Sequence, residues 1–179
     1  CDFLRDYWSS RASDEFYTGL SHRYETLFLA YHQRIVTETL QAIQGSDFEF
    51  TQLVELGAGD GKILDHFSRH LPPQLSFHGV DINLSQVENN RTIYAARPML
   101  HFHHDDAARW LTENAGSGTI LVTNGGVLEY FTREQVASMF RTLAGTTPCA
   151  VVLTESIAAD HDLKNEPSTY PYGFELSLS

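Results

Sequence analysis

Leu53-Val54-Glu55-Leu56-Gly57-Ala58-Gly59-Asp60-Gly61-Lys62-Ile63-Leu64 is the stretch that decides the fold. An apolar run ends at an acid, three glycines follow at alternate positions, and an amphipathic run begins at once. The pattern predicts a buried strand, a tight turn and a helix start, the unit with which an open α/β sheet builds a ligand crevice. Glycine suits the turn because it accepts positive φ and, lacking a Cβ, lets a ligand approach the backbone. The spacing then narrows the ligand. A dinucleotide fingerprint G-x-G-x-x-G would need its third glycine where Lys62 stands. The phosphate loop G-x-x-x-x-G-K-[ST] fails as well, since Gly57 to Lys62 is too short and Ile63 carries no hydroxyl. What stands is acid-x-G-x-G-x-G, with Glu55 ahead of the glycines and Asp60 among them. Carboxylates repel a pyrophosphate but suit a cationic ligand with ribose hydroxyls.

Working outward, strands and helices alternate. Ile63, Leu64, Phe67 and Leu71 make a short amphipathic helix that Pro72-Pro73 stops. Leu75 to Val80 reads as the second strand, with Asp81 at its end, and Leu84 to Ala96 as a helix. Met99–His104 is a third strand, Ala107–Asn114 a third helix and Thr119–Thr123 a fourth strand. Thr132 with Gln135 three residues on is a capping box for a helix whose apolar face is Val136, Met139, Phe140 and Leu143. Ala150–Leu153 is a fifth strand. This order predicts a doubly wound, mostly parallel sheet with helices on both faces.

Ahead of the first strand, apolar residues recur at Leu20, Tyr24, Leu27, Phe28, Tyr31, Ile35, Leu40 and Ile43, which reads as one helical face ending near Gly45. We therefore expect residues 1–45 to be an arm and helix packed on the core. Residues 46–158 form a Rossmann-like cofactor-binding core, and 159–179 an irregular tail of an incomplete C-terminal region.

Composition sets outer bounds. The chain has 179 residues, enough for one domain, with 42% hydrophobic and 20% charged residues. Twelve Lys and Arg stand against 23 Asp and Glu, a net charge of −11, and no basic block occurs. That argues against nucleic acid and against an anionic membrane surface as partners. No apolar run approaches the roughly 20 residues of a membrane span, and no signal segment opens the chain. Cys1 and Cys149 make no disulfide framework, Cys149 reading as a buried thiol, so a cytoplasmic location is expected. The opening at Cys1 reads as a fragment or a trimmed chain.

Asp81, 20 residues past Gly61, is positioned at a strand end to accept hydrogen bonds from ribose hydroxyls, or to act as a helix N-cap. Asp105-Asp106-Ala107 follows the third strand and Asn124-Gly125-Gly126 the fourth. Glu55-Leu56-Gly57-Ala58-Gly59-Asp60-Gly61 resembles the first motif of the class I S-adenosylmethionine-dependent methyltransferases. With Asp81 and Asp106-Ala107 in order, the resemblance extends over roughly residues 50 to 155. It implies S-adenosylmethionine as cofactor, with Glu55, Gly57, Ala58, Gly59 and Gly61 in its loop and Asp81 and Ile82 at the ribose. It also implies Asp106 at the adenine amino group with the Ala107 N–H nearby, Asp105 taking the place of the usual glycine, and Asn124 at the amino-acid end.

The function expected from this resemblance is methyl transfer, by in-line displacement, to a small-molecule acceptor. Glu129, Glu155 and His161 are unranked candidates for a general base, and Glu129 and Tyr130 are candidates to face the substrate. Tyr17 and Tyr24, in a region that in the family often folds over the cofactor, are expected to be core or staple aromatics. Packing is also the expected role of Val127, Leu128 and Phe131. Two other readings stay open: an aminopropyl-transferring enzyme on the same fold, and a methyltransferase-like domain that binds without turnover. The family's sheet usually continues past its fifth strand with a helix and an antiparallel hairpin, which the tail here does not spell. His101-Phe102-His103-His104-Asp105 superficially resembles a metal-hydrolase motif. In a strand, however, His101, His103 and Asp105 share one extended face, so edge-strand histidines are expected and no metal.

Overall fold

The computed structural model describes residues 2–10, 13, 16–17, 22, 24–155, 168–169 and 175–176. A helix α1 (Asp2–Ser9) is followed by a π-helix (Tyr24–His32) and α2 (Arg34–Gln44). Then come β1 (Gln52–Leu56), α3 (Lys62–His70), β2 (Ser76–Asp81), α4 (Leu84–Ile93), β3 (Leu100–His104) and α5 (Ala107–Asn114). β4 (Thr119–Asn124), a 3₁₀ turn (Val127–Tyr130), α6 (Arg133–Ala144) and β5 (Cys149–Thr154) complete the core. The five strands form one parallel sheet in the order β3-β2-β1-β4-β5. The chain leaves β1 towards β2 and β3, then crosses back to β4 on the other side. The crevice at this switch point, between the C-terminal ends of β1 and β4, is where such sheets bind ligands.

Alternate faces of the strands bury different helices, which is why the central strands read as continuous apolar runs. Leu53, Phe77, Leu100, Phe102, Ile120 and Val122 meet Leu64 and Phe67 of α3, Val87 of α4, Val36 of α2 and Phe28 of the π-helix. Val54, Leu56, Val80 and Leu121 meet Ala107, Trp110 and Leu111 of α5 and Met139 and Leu143 of α6. Cys149, expected to be buried, is half-buried at the start of the edge strand β5. On the same strand Val151 and Leu153 are exposed.

Helix starts follow the caps in the sequence. The capping box of α6 is complete, with Thr132 accepting from the Gln135 N–H and the Gln135 side chain accepting from the Thr132 N–H. Asn83, not Asp81, caps α4, and Asp106 caps α5 by accepting from the Arg109 N–H.

The single helix expected from Leu20 to Ile43 is divided. The Gln33 N–H donates to the Phe28 carbonyl at 2.8 Å, a five-residue step that keeps the segment from Tyr24 in π winding until α2 begins. That winding lines up Tyr24, Phe28 and His32 along one side, with Tyr24 stacked on Phe28 at 5.8 Å. Leu27 and Tyr31, expected on the buried face, are instead exposed, Tyr31 by 75%. In the tail, Ser168–Thr169 and Glu175–Leu176 pair antiparallel as a separate two-stranded sheet. Among the described residues no helix is long and apolar enough to cross a membrane.

Candidate cofactor and acceptor cleft

Each predicted site segment sits at the C-terminal edge of the sheet. The glycine loop is held there by its own backbone: the Gly57 and Ala58 N–H groups both reach the Val80 carbonyl, at 2.8 and 3.2 Å. Gly57 has φ +67°, and a Cβ on it would lie 2.9 Å from Val127, so a glycine is required both for the turn and for the approach of the 3₁₀ turn. The Asn90 amide donates to the Gly59 carbonyl at 2.7 Å, and the Tyr94 hydroxyl to the Asp60 carbonyl at 3.2 Å. Asp60 also pairs with Lys62 at 3.4 Å.

Asp81 is buried and accepts from two backbone donors, Gly59 N–H on one oxygen and Asn83 N–H on the other, both at 2.8 Å. It therefore ties the loop after β1 to the loop after β2. Burial pushes its pKa up against the opposing pull of those backbone donors. Glu55, on β1, is 2% exposed, and burial, with Asp60 and Asp81 nearby, raises its pKa well above the usual carboxylate range. The Leu64 N–H donates to its carboxylate, while Oε2 has no partner.

These residues bound one cleft of about 430 Å³, within the range of small-molecule sites. Glu55, Gly57, Ala58, Gly59, Asp60, Asp81, Ile82, Asp106, Ala107 and Asn124 all line it. Gly61 and Asp105 do not line the cleft: Gly61 starts α3, packed on Phe102 and Tyr94, and Asp105 pairs with Arg109.

Five buried side-chain polar atoms lack a hydrogen-bond partner among the described residues. Four of them, Trp8 Nε1, His32 Nδ1, Glu55 Oε2 and Asn124 Oδ1, belong to residues lining this cleft. The fifth, Asn90 Oδ1, is on the amide that holds the loop. Buried polar groups are almost always paired, so unpaired atoms gathered round one cavity mark a place where a ligand supplies the partners.

The catalytic candidates are not gathered there. The Glu155 carboxylate accepts from the Thr123 hydroxyl and the Leu128 N–H, so it secures the 3₁₀ turn. Glu129, its pKa raised by burial, takes a hydrogen bond from Tyr130. Neither lines the cleft, and His161 lies outside the described residues. Tyr17, Tyr24 and Tyr130 do line it, the Tyr24 hydroxyl also meeting His66 Nδ1 at 3.0 Å. Val127 and Phe131 line it too, beyond the packing role expected of them, whereas Leu128 is buried in the core. The sequence reading missed Arg5, Trp8, Phe16 and His32, which reach the cleft from the N-terminal elements. Only their position in an aromatic-rich arm hinted at it. His101 and His103 of the edge strand β3 stack on His78 of the neighbouring β2, with His78 Nδ1 3.0 Å from His103 Nε2. Among the described residues no group of three metal-binding side chains is placed to hold an ion.

Comparison with known proteins gives the fold its family. No curated protein matches the chain in sequence. Among solved structures, it is similar to magnesium protoporphyrin IX methyltransferase from Synechocystis PCC 6803 with bound SAM, at 14% identity and TM-score 0.57, covering 84% of this chain and 74% of that one. It is similar to the plantazolicin methyltransferase BpumL with SAH, at 14% identity and TM-score 0.64, covering 86% of this chain and 57% of that one. A SAM-dependent methyltransferase from Thiobacillus denitrificans with SAH matches at 15% identity and TM-score 0.51, covering 75% of this chain and 52% of that one. The chain thus spans between half and three quarters of these proteins. S-adenosylmethionine is the cofactor of this fold. A family model described as "Methyltransferase domain" matches residues 53–147, more than half of the 179, and the chain belongs to the class I S-adenosylmethionine-dependent methyltransferase family.

Proposed function

We propose that this chain binds S-adenosylmethionine in the cleft and transfers its methyl group, by in-line displacement, to a small-molecule acceptor. The observation that carries the reading is the set of unpaired buried atoms, Glu55 Oε2 and Asn124 Oδ1 above all, at the ends of two neighbouring central strands. Both are hydrogen-bond acceptors, and an ammonium group would satisfy them. Asp81 keeps lone pairs beyond those taken by Gly59 and Asn83 N–H and would accept from ribose hydroxyls. Asp106, lining the cleft while capping α5, would accept from the adenine amino group, with Ile82 and Ala107 against the ring.

The cofactor supplies an already activated methyl group, so the chain's own part is to hold both partners in line and exclude water. The carboxylates Asp60, Asp81 and Asp106 give the cleft a negative field suited to a cationic nucleoside. A small-molecule acceptor fits the net charge of −11, which disfavours nucleic acid. The solved relatives named for a porphyrin and for plantazolicin methylation also act on acceptors other than nucleic acid.

Calorimetric titration of the chain with S-adenosylmethionine and S-adenosylhomocysteine, with NAD and ATP as controls, tests the reading. Binding of the first two alone supports it. No binding by a folded chain, or equal binding of ATP, overturns it, and binding without turnover of any acceptor would leave a non-catalytic binding domain.

A further inference from the structure

The groups that suit the cofactor account for only one side of the cleft. The other side is a wall of rings. Trp8 of α1 has Phe16 at 4.9 Å and 78°, Tyr17 at 6.1 Å and 68°, and, from the 3₁₀ turn, Tyr130 at 5.4 Å and 72°. All four line the cleft, and every contact is edge to face. The wall is fixed to the sheet, because the buried Asn83 amide donates to the Trp8 carbonyl at 3.2 Å and to the Ser13 hydroxyl at 2.8 Å.

We infer that the acceptor is an uncharged planar aromatic molecule carrying a hydrogen-bond acceptor atom, docked against the wall that Trp8 and Tyr130 form together. The inference rests on the methyltransferase reading. Three observations select that chemistry. A flat π-system extends an edge-to-face cluster by the same quadrupole contacts that hold it together. Trp8 Nε1 is buried with no partner, and an indole N–H is a donor only, so a ring nitrogen or oxygen on the guest satisfies it where an ammonium would not. The charges exclude an anion. Among the described residues Arg5 is the one cationic side chain at Lys or Arg positions lining the cleft, and it faces Asp106 at 3.8 Å. An aliphatic polycation is disfavoured because the carboxylates of the cleft, Asp60, Asp81 and Asp106, are the ones the cofactor reading assigns to the nucleoside, whereas the wall of rings offers none.

The experiment uses the full chain saturated with S-adenosylhomocysteine, so that the nucleoside part of the cleft is filled. Tryptophan fluorescence is followed while quinoline, 1-naphthol, cyclohexanol, spermidine or benzoate is added. The chain has two tryptophans, and Trp110 is buried against the sheet, so Trp110→Phe leaves Trp8 as the reporter. Quinoline and 1-naphthol are expected to quench Trp8 and to bind at least about tenfold tighter than the other three, and calorimetry, which needs no reporter, should show Trp8→Ala weakening them by about tenfold. Trp8→Phe keeps a ring and removes the donor, so by calorimetry it should weaken quinoline more than naphthalene, added as the control ring without an acceptor atom.

Spermidine, cyclohexanol or benzoate binding as tightly as the aromatics overturns the inference, as does unchanged aromatic affinity in folded Trp8→Ala. Should S-adenosylhomocysteine itself fail to bind by calorimetry, the methyltransferase reading falls. Aromatic binding absent while S-adenosylhomocysteine binds removes this inference alone.

Discussion

Replacing Asp81 with Asn separates two roles that a single carboxylate holds. Its oxygens accept from Gly59 and Asn83 N–H, each at 2.8 Å, and its side chain is buried. Asparagine keeps one carbonyl oxygen and puts an NH₂ where the second oxygen was, so one of the two N–H donors meets a donor. A hydrogen bond to a charged group contributes about 1.5–3 kcal/mol, and part of that loss is offset because the variant buries no charge. We expect a net cost of about 1–2 kcal/mol, read as a Tm drop of about 2–8 °C for a chain of this size.

If ribose hydroxyls also donate to Asp81, losing the charged acceptor should weaken S-adenosylhomocysteine by about 10- to 100-fold. Urea unfolding reads the first effect and calorimetry the second, on the same protein. pH adds a signature. Because burial raises the pKa of Asp81, the folded chain holds that proton more tightly than the unfolded chain. The resulting stability is present at acid pH and lost as pH rises through the folded pKa, a slope the Asn variant should lack. Unchanged affinity in a folded variant would falsify the ribose role, and an unchanged urea midpoint would refute the tie between the two loops.

Three further perturbations read other parts of the same framework. Burial, with His103 and His101 beside it, lowers the His78 pKa from 6.5 to about 4. The folded chain therefore resists a proton the unfolded chain takes, and stability should fall as pH drops from about 6.5 to 4 and level off below. After discounting for solvent at this half-buried ring the loss is about 1–2 kcal/mol, measured by urea midpoints across that range, and a flat profile would sink the idea. Thr132→Ala removes the capping box of α6 and should cost about 1 kcal/mol in urea unfolding, with an effect under a few tenths counting against the cap. Gly57→Ala forces a side chain into φ +67° and against Val127 at 2.9 Å, so it should cost about 2–4 kcal/mol and abolish S-adenosylhomocysteine binding. Wild-type affinity in that variant would mean the loop backbone does not carry the ligand.

What could be read from the chain was what local physics writes into it. Glu55 and Asp81 stand where apolar runs stop, and a strand end in an α/β sheet is a fixed place in three dimensions. The Thr132–Gln135 cap and the Pro72-Pro73 stop are likewise local. The π winding from Tyr24 was illegible because an apolar spacing of three to five residues suits either helix, and contact with α3 decides between them. Trp8 was illegible for a different reason. Its place is set by Asn83, 75 residues away, and nothing near Trp8 records that bond. Glu155 shows the same limit from the other side: its strand-end position was readable, but its engagement by Thr123 and Leu128 was not.

The distribution of unpaired atoms explains why the site and the fold are hard to separate here. Glu55 lies on the central strand, paired through its backbone with Val122 of β4 and Gly79 of β2, where an apolar residue would pack without penalty. A buried polar group left unmade costs about 1–3 kcal/mol, and four such atoms border one cleft. Spread over the sheet, such costs would only weaken the fold. Gathered at the switch point, they would be relieved by the proposed ligands, the cofactor at Glu55 and Asn124 and the acceptor at Trp8, so binding free energy and folding stability would be linked through the same side chains. Asp81 joins the two most directly, since the carboxylate that would receive a ribose is also the one that holds the glycine loop in the shape a nucleoside requires.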